Sequence, residues 1–373
     1  MPELWLNYGS TDIIVDLKVE NLSLVENPKF DILNNEILDQ EIESIQIEDS
    51  TRLVPLDASN STAKLVSSII ARAEGKGINL SIGLIPKIKK QLSHKLQDQN
   101  VNTFEINGEH LQNLINDKNT IFVSKTGIDP FFGYAGTPVS LLREFEQDKM
   151  NEAFQSRTDD LPHPTLIGPP TEVATKLCEG MNAKSIEIIS SNSGITNIFY
   201  DEILESFQSA IKKLESLALV DNQQVKSLIV GTNTDTNSSS TLSSSLSLLW
   251  NSVNILKRNA IVVIVSENNK GFGAKAIEKF AYGQIKLEDY KNSPYLEGIE
   301  HVMFMNELRE KFDMAILSSL PKYYLKETFG LKVFSNIQEA AEKILQMNGK
   351  SHRISIIQDP NTAIFKTHDQ IGN

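Results

Sequence analysis

The sequence predicts an α/β fold, a two-domain protein with mostly parallel sheets flanked by helices and a cleft between the domains. Short runs rich in β-branched residues alternate with longer segments of helical period. Strands that follow one another in this way are joined by crossovers, which produce parallel pairing and cover both faces of a sheet. The length of 373 residues fits two domains of ordinary size. We place an N-terminal α/β domain at 1–220 and a C-terminal doubly wound α/β domain at 221–373.

The alternation is clearest in the second half of the chain. The predicted strands, all short and apolar, are Val225–Gly231, Ala260–Glu267, Asp313–Ser319, Leu331–Ser335 and Arg353–Gln358. The predicted helices between them are Leu242–Leu256, Gly273–Tyr282, His301–Lys311 and Ile337–Met347. The polar segment 232–245 has the composition of a linker, but it lies within one βαβ unit. We therefore predict a long loop at the sheet edge where such folds bind ligands.

The first half is less regular but is also predicted to be α/β. Its predicted strands are Leu4–Tyr8, Asp12–Leu17, Ile42–Glu48, Ile78–Ile82 and Thr120–Ser124, and its predicted helices are Ala63–Glu74 and Val139–Phe154. The proline-rich segment Leu161–Pro170 is predicted to be a loop. Two strands, Ser185–Ser190 and Ile195–Phe199, flank the turn Asn192-Ser193-Gly194 and precede a helix at Glu202–Leu217.

Composition excludes several classes of partner. The net charge of −12 repels nucleic-acid phosphates and anionic lipids, so we expect neither nucleic acid nor membrane as a partner. Cys178 is the single cysteine, which excludes an intramolecular disulfide and fits a reducing cytoplasm. The N-terminal residues lack a signal-peptide pattern, and no apolar run is long enough for a membrane span, so we expect a cytoplasmic protein. A homo-oligomer is compatible with all of this.

The segment Asp49–Pro55 is the first candidate binding site. It follows the predicted strand Ile42–Glu48, so its side chains would be delivered to a crevice at the sheet edge. Arg52 can hold a carboxylate or phosphate through two hydrogen bonds, and Asp49 and Thr51 can orient Arg52 or bind a substrate hydroxyl. A surface turn with a local Asp–Arg pair is the alternative interpretation.

Two glycine-containing turns are the candidate cofactor-binding segments. Gly133, Tyr134 and Gly136 lie between a strand and a helix, where free backbone amides can accept an anionic group. Gly271 and Gly273 repeat this arrangement in the second domain, although the full dinucleotide fingerprint is absent. Glu267, at the strand end before them, is a candidate substrate-binding residue. Tight packing of the two turns explains the glycines equally well.

The histidines predict no metal site. The six residues are His94, His110, His163, His301, His352 and His368, and none forms a pair at the spacing of metal ligands or stands beside the cysteine. His163 is the best candidate for an acid or base, with an ordinary exposed loop histidine as the alternative. The catalytic residues therefore stay unknown at this stage.

In this order the segments resemble the nickel-dependent lactate racemase family, a group of two-domain α/β hydroxy-acid racemases and epimerases. The strongest match is Asp49-x-Thr51-Arg52-x-x-Pro55, which is similar to the family's Asp-x-Thr-Arg-Pro-x-Pro. The segment 133–136 resembles the family's Gly-Phe-Ser-Gly-Gly loop. Glu267, with the glycines that follow it, resembles the Glu-x-x-Asp-Gly-x-Gly segment. The resemblance implies a small 2-hydroxy acid or related anion as ligand, bound by Arg52.

The residues that carry the family's chemistry are replaced in this chain. The family uses a nickel pincer nucleotide tethered to a lysine, and that position falls on Val139 here. The family's histidine before the glycine loop falls near Phe131, and a lysine of the second domain falls near Ser247. We therefore predict that the covalent tether is absent. Two interpretations follow: a divergent racemase or epimerase, or a non-catalytic relative that binds a small anion or has a structural role.

Overall fold

The computed structural model describes residues 3–25, 28, 30–96, 101–232, 240–290, 293–358, 360 and 363–367, with the backbone alone at 3, 109, 110, 221, 222, 366 and 367. The strands are β1 (Glu3–Tyr8), β2 (Thr11–Asp16), β3 (Leu22–Leu24), β4 (Arg52–Pro55), β5 (Ser81–Leu84), β6 (Asn102–Glu105), β7 (Thr120–Lys125), β8 (Gly127–Asp129), β9 (Gly133–Ala135), β10 (Lys184–Ser191), β11 (Gly194–Glu202), β12 (Leu219–Asn222), β13 (Val225–Val230), β14 (Leu256–Val265), β15 (Asp313–Leu317), β16 (Lys332–Val333), β17 (Ile354–Ile357) and β18 (Ile364–Thr367). The helices are α1 (Asn35–Ser44), α2 (Asn60–Gly75), α3 (Pro86–Lys95), α4 (Gly108–Ile115), α5 (Thr137–Phe145), α6 (Gln147–Gln155), α7 (Pro169–Cys178), α8 (Ile203–Ala218), α9 (Leu242–Trp250), α10 (Lys275–Ala281), α11 (Leu287–Tyr290), α12 (Ile299–Arg309) and α13 (Ile337–Asn348).

The first large sheet has the strand order β11-β10-β7-β4-β5-β6. All neighbours are parallel except β10 and β11, which form an antiparallel hairpin. From β4 the chain first builds outward through β5 and β6, and then returns to add β7 and β10 on the other side of β4. The strand order therefore reverses between β4 and β7, and a crevice opens at the ends of these two strands.

The second large sheet has the order β16-β15-β14-β13-β17-β3, and all its pairs are parallel. Its edge strand β3 comes from the start of the chain and pairs with β17. The antiparallel β1–β2 hairpin covers one face of this sheet, where Leu6 and Val15 pack with Ile229 and Val263. The β1–β2 hairpin and β3 therefore pack on or pair with the second sheet. The domain boundary at 220 stays a prediction.

A shared hydrophobic core joins the two halves of the protein. Phe131, Phe132 and Phe154 of the first half lie in the same buried cluster as Trp250 and Phe304 of the second. The rings of Phe131 and Phe132 meet edge to face at 4.8 Å, and those of Trp250 and Phe304 do so at 6.0 Å. The rings of Phe154 and Tyr295 lie 5.5 Å apart across the two halves, so the halves are packed against each other directly.

The predicted fold class is confirmed, because the chain is an α/β protein with two mainly parallel sheets flanked by helices. Each other predicted strand overlaps an observed strand, but the predicted strand Ile42–Glu48 is wrong. Helix α1 occupies 35–44, capped by Asn34 and with Leu38 and Ile42 buried at helical spacing. The Arg72 guanidinium donates to the carbonyls of Ile42, Glu43 and Ile45 at its end. This tertiary cap stabilises the end of the helix through a residue that is distant in sequence.

Two predicted helices are shorter than expected. Val139–Phe154 is divided into α5 and α6 because Glu146 has a non-helical conformation. The second domain's first helix ends at Trp250, and the chain enters β14 already at Leu256. Of the predicted loop 232–245, residues 233–239 lie outside the described residues. In the described part of the chain, no helix is long and apolar enough to cross a membrane.

Candidate functional site

A cavity of about 350 Å³ lies at the reversal point of the first sheet, where β4 and β7 end. We call it the switch-point cavity. The polar residues in its wall include Asp57, Ser59, Lys125, Thr126, Asp129 and Ser190. Ser247 of α9 reaches the cavity from the second half of the chain. Open α/β sheets bind their ligands at this place, because successive loops diverge there and leave a crevice.

Asp57 fixes the geometry of this crevice. It follows β4, and one carboxylate oxygen accepts hydrogen bonds from the Ser59 amide and the Thr62 hydroxyl, each at 2.8 Å. The other oxygen accepts the amide of Lys125, at the end of β7, also at 2.8 Å. One side chain therefore ties the start of α2 to the neighbouring strand, and its negative charge is shared among three donors.

Asp129 connects the cavity to a partly buried ion-pair network. Its carboxylate accepts the amides of Phe131 and Phe132 at 2.8 Å and pairs with Arg143 of α5 at 3.2 Å. Arg143 also bonds Glu300 of α12 at 3.0 Å and the Tyr295 hydroxyl at 3.2 Å. Burial alone lowers the pKa of Arg143, but its anionic neighbours raise it above its ordinary value. The guanidinium thus stays charged and links a cavity wall to the second half of the protein.

Glu187 lies behind the cavity wall and is fully buried. Its carboxylate accepts the Thr126 hydroxyl at 2.6 Å and the Thr137 amide, at the start of α5, at 2.8 Å. Burial raises the pKa of this carboxyl to about 7, and Asp57 adds to the rise, whereas the bonds from Thr126 and Thr137 oppose it. A buried carboxyl with a raised pKa is therefore hydrogen-bonded to a residue of the cavity wall.

The predicted anion-binding segment lies at the start of β4, at the opposite end of this strand from the cavity. Arg52 is the first residue of β4, and it pairs with Asp117 at 2.7 Å. Thr51 accepts the Glu48 amide, and Asp49 accepts the Asn79 amide. None of the three predicted residues lines the switch-point cavity. Arg52 has a partner of its own in a turn, so its role toward a ligand stays a prediction.

Glu267 is in different surroundings from Arg52. It follows the end of β14, and its carboxylate accepts the Asn269 side-chain amide at 2.9 Å. The turn between β1 and β2 lies against this carboxylate, because a Cβ added to Gly9 would stand 1.8 Å from the Glu267 Oε2 atom. The structure therefore places Glu267 beside the N-terminal hairpin. Glu267 bonds Asn269 and Arg52 bonds Asp117, so the two predicted residues have separate partners.

The first glycine turn is filled by the protein's own side chains. A Cβ at Gly133 would stand 2.3 Å from the Leu166 carbonyl oxygen, and one at Gly136 would stand 2.6 Å from the Phe207 ring. Tyr134 is buried and its hydroxyl donates to Glu215 at 2.7 Å. Glu187 already takes the first amide of α5. Close packing accounts for both glycines, and the anion at this helix N-terminus is an internal carboxylate.

The second glycine turn packs against the start of α9. A Cβ at Gly273 would stand 2.7 Å from the Thr241 hydroxyl, whereas one at Gly271 would meet open space. Both have positive φ angles, of 90° and 88°. Thr241 itself caps α9 through a reciprocal bond with Ser244. The turn thus requires glycine for its backbone conformation, independently of any ligand.

Sequence reasoning missed Asp57, Lys125, Thr126 and Glu187. The cause is the shifted strand: once β4 is placed at 52–55, Asp57 stands just after a buried strand and before the Ser59 cap of α2. Pro55 is compatible with this strand because it is the last strand residue. Glu187 is a lone acid in the apolar run of β10, which is a signal for a buried functional or structural carboxylate.

The nickel nucleotide implied by the sequence resemblance does not fit these residues. Val139 is buried in the core on α5 and offers no amine. Neither histidine nor cysteine is among the described residues that line the cavity. The described part of the chain also holds no group of three or more histidine, cysteine or acidic side chains suited to a metal ion. His301, for example, is buried and accepts the Trp250 indole N–H at 2.9 Å. The side chain of His110 and all of His368 lie outside the described residues.

No family model matches the sequence, and no curated protein does either. Solved structures do match. The lactate racemase apoprotein from Thermoanaerobacterium thermosaccharolyticum aligns with a TM-score of 0.74 over 98% of this chain and 100% of its own, at 13% identity. A protein from Thermotoga maritima, solved by structural genomics, aligns with a TM-score of 0.56 over 89% of this chain and 97% of its own, at 11% identity. The resemblance seen in the sequence is thus confirmed at the level of the fold, and the chain is a divergent structural relative of lactate racemase.

Proposed function

We propose that this protein binds a small hydroxy acid in the switch-point cavity and does so without the nickel-pincer chemistry. The observation that carries the proposal is the cavity itself: it lies where open α/β sheets bind ligands, and its wall is rich in hydroxyl groups. Serine and threonine side chains can donate to and accept from the hydroxyls of a ligand. The likeness to a lactate racemase supports the same ligand class.

The charges in the cavity wall suit a ligand with one carboxylate. Asp57 is saturated by three donors, and Asp129 is paired with Arg143 and two amides. Lys125 is the cation among the described residues of the wall, so it is the group to hold the carboxylate of a ligand. Ser190 and Ser247 offer hydroxyls from the two halves of the protein.

Calorimetric titration with D- and L-lactate, glycerate, malate and gluconate tests the proposal. Replacement of Lys125 by Ala is expected to weaken binding roughly 10- to 100-fold, because a hydrogen bond to a charged group is lost. Lys118→Ala is the matched control, since it removes the same charge just before the opposite end of β7. Unchanged affinity of the Lys125 variant for a ligand that binds the wild type would refute the assignment.

The same titration decides between the cavity and Arg52. If Arg52 holds the anion, Arg52→Ala weakens binding and Lys125→Ala does not. If the cavity is the site, the result is reversed. Failure of every hydroxy acid to bind the wild-type protein at millimolar concentration would refute both forms of the proposal and favour a structural role.

A further inference from the structure

Thr126 connects the wall of the switch-point cavity with the buried carboxylate of Glu187. Thr126 belongs to the cavity wall, and its hydroxyl bonds one oxygen of Glu187 at 2.6 Å. The amide of Thr126 bonds the Ile188 carbonyl at 2.9 Å, so the backbone of the residue is held against β10. The other oxygen of Glu187 is held by the Thr137 amide at 2.8 Å.

These partners dictate where a proton on Glu187 must go. The Thr137 amide can only donate, and the carbonyl oxygen of a protonated carboxyl is a better acceptor than its hydroxyl oxygen, so the contact favours the unprotonated form of the oxygen beside Thr137. A proton on Glu187 therefore resides on the other oxygen, which faces Thr126. When Glu187 is ionised, Thr126 must donate to it and offers only lone pairs to the cavity. When Glu187 is protonated, it donates to Thr126, and the threonine O–H is released to donate elsewhere.

We propose that Glu187 and Thr126 form a pH-operated hydrogen-bond switch, which presents a donor to the cavity when Glu187 is protonated and an acceptor when it is ionised. The ligand favoured by the protonated state is an anion, such as the carboxylate of a hydroxy acid. For that ligand the inference rests on the proposed function, but the switch itself operates in the ligand-free protein.

The surroundings of Glu187 place this switch in the neutral pH range. Burial raises the pKa of the carboxyl to about 7, against the opposing hydrogen bonds. The titratable groups that face it are Asp57, which raises the pKa further, and Cys178 of α7. Burial raises the pKa of the Cys178 thiol to about 12, so this group stays neutral while Glu187 titrates. The start of α5 contributes the positive end of a helix dipole.

The first test uses the protein without ligand. Nuclear magnetic resonance of the Glu187 carboxyl carbon and the Thr126 methyl group is expected to show both titrating together, with one midpoint near 7. Glu187→Gln should abolish the response of Thr126, because its amide oxygen accepts from Thr137 and its NH₂ group donates to Thr126 at every pH. The switch is refuted if Glu187 fails to titrate between about pH 5 and about pH 9, or titrates without Thr126.

The second test measures the affinity for a hydroxy acid over the same range, in which the ligand carboxylate remains ionised. Affinity should fall roughly tenfold as pH rises, since one hydrogen-bond donor is lost. Glu187→Gln should keep the low-pH affinity throughout, and Thr126→Val should remove the pH dependence with Glu187 in place. A pH-independent affinity of the wild type overturns the switch as a control of binding. If no hydroxy acid binds while Glu187 and Thr126 titrate together, the proposed function fails and the switch stands.

Discussion

Arg143 of α5 and Glu300 of α12 form a partly buried ion pair of 3.0 Å that joins the two halves of the protein. Glu300 is 3% exposed, and its second oxygen has no hydrogen-bond partner. Asp129 and Tyr295 complete the surroundings of the guanidinium. One cation thus compensates two carboxylates, which makes the network sensitive to removal of the cation.

Replacement of Arg143 by Met should destabilise the protein by up to about 3–5 kcal/mol, because the buried Glu300 and the partly buried Asp129 lose their counter-charge. Urea unfolding measures the change. The double variant with Glu300→Gln should regain part of the loss, since one of the two uncompensated charges is removed. Equal stability of wild type and Arg143→Met would show that the network contributes no net stabilisation.

Glu187 should make stability depend on pH. Burial raises the pKa of its carboxyl from 4.5 to about 7 in the folded state. Between these values the folded protein binds the proton more tightly than the unfolded chain, so the free energy of unfolding falls as pH rises. The wild type should lose on the order of 3 kcal/mol relative to Glu187→Gln between about pH 4 and about pH 8. Urea unfolding of both proteins across this range is the measurement, and parallel curves would contradict the shifted pKa.

The glycine turns allow a matched pair of substitutions. Gly133 and Gly271 have similar φ angles, of 79° and 88°, but only the first approaches another backbone. Gly271→Ala should cost about 1–2 kcal/mol for the left-handed conformation alone. Gly133→Ala should cost roughly 1–3 kcal/mol more, because the new methyl group meets the Leu166 carbonyl. Thermal unfolding measures both, and equal losses would remove the packing explanation for Gly133.

The Arg52–Asp117 pair should contribute little to stability. The Arg52 side chain is 40% exposed, and exposed ion pairs are screened by water and salt. A double-mutant cycle with Arg52→Ala and Asp117→Ala should give a coupling of about 0–1 kcal/mol. A much larger coupling would mean that the turn at the start of β4 depends on this pair.

The sequence was sufficient for the fold class because strand and helix periods are local signals. The strand–turn–strand at 185–199 and the helices near 203–218 and 337–348 follow directly from them. Helix α1 was missed because its end is stabilised by Arg72, which is distant in sequence. The participation of β3 in the second sheet was missed for the same reason, since pairing with β17 is a long-range contact.

The site was harder to predict than the fold. Its position depends on where β4 ends. The strand was predicted at 42–48 instead of 52–55, so the segment around Arg52 was expected at the strand end, where the structure places Asp57. Glu187 and Arg143 are distant in sequence from the residues they contact, namely Thr126 and Glu300. The lone acid in the apolar run of β10 indicates that Glu187 is buried, but the partners of both residues depend on contacts that are distant in sequence.

A crystal structure of the protein soaked with a hydroxy acid that binds in solution is the most direct measurement of where the ligand lies. We expect density in the switch-point cavity, with the carboxylate at Lys125 and a ligand hydroxyl within hydrogen-bond distance of Ser190 or Ser247. Density beside Arg52 instead, with the cavity occupied by water alone, would contradict the proposed site.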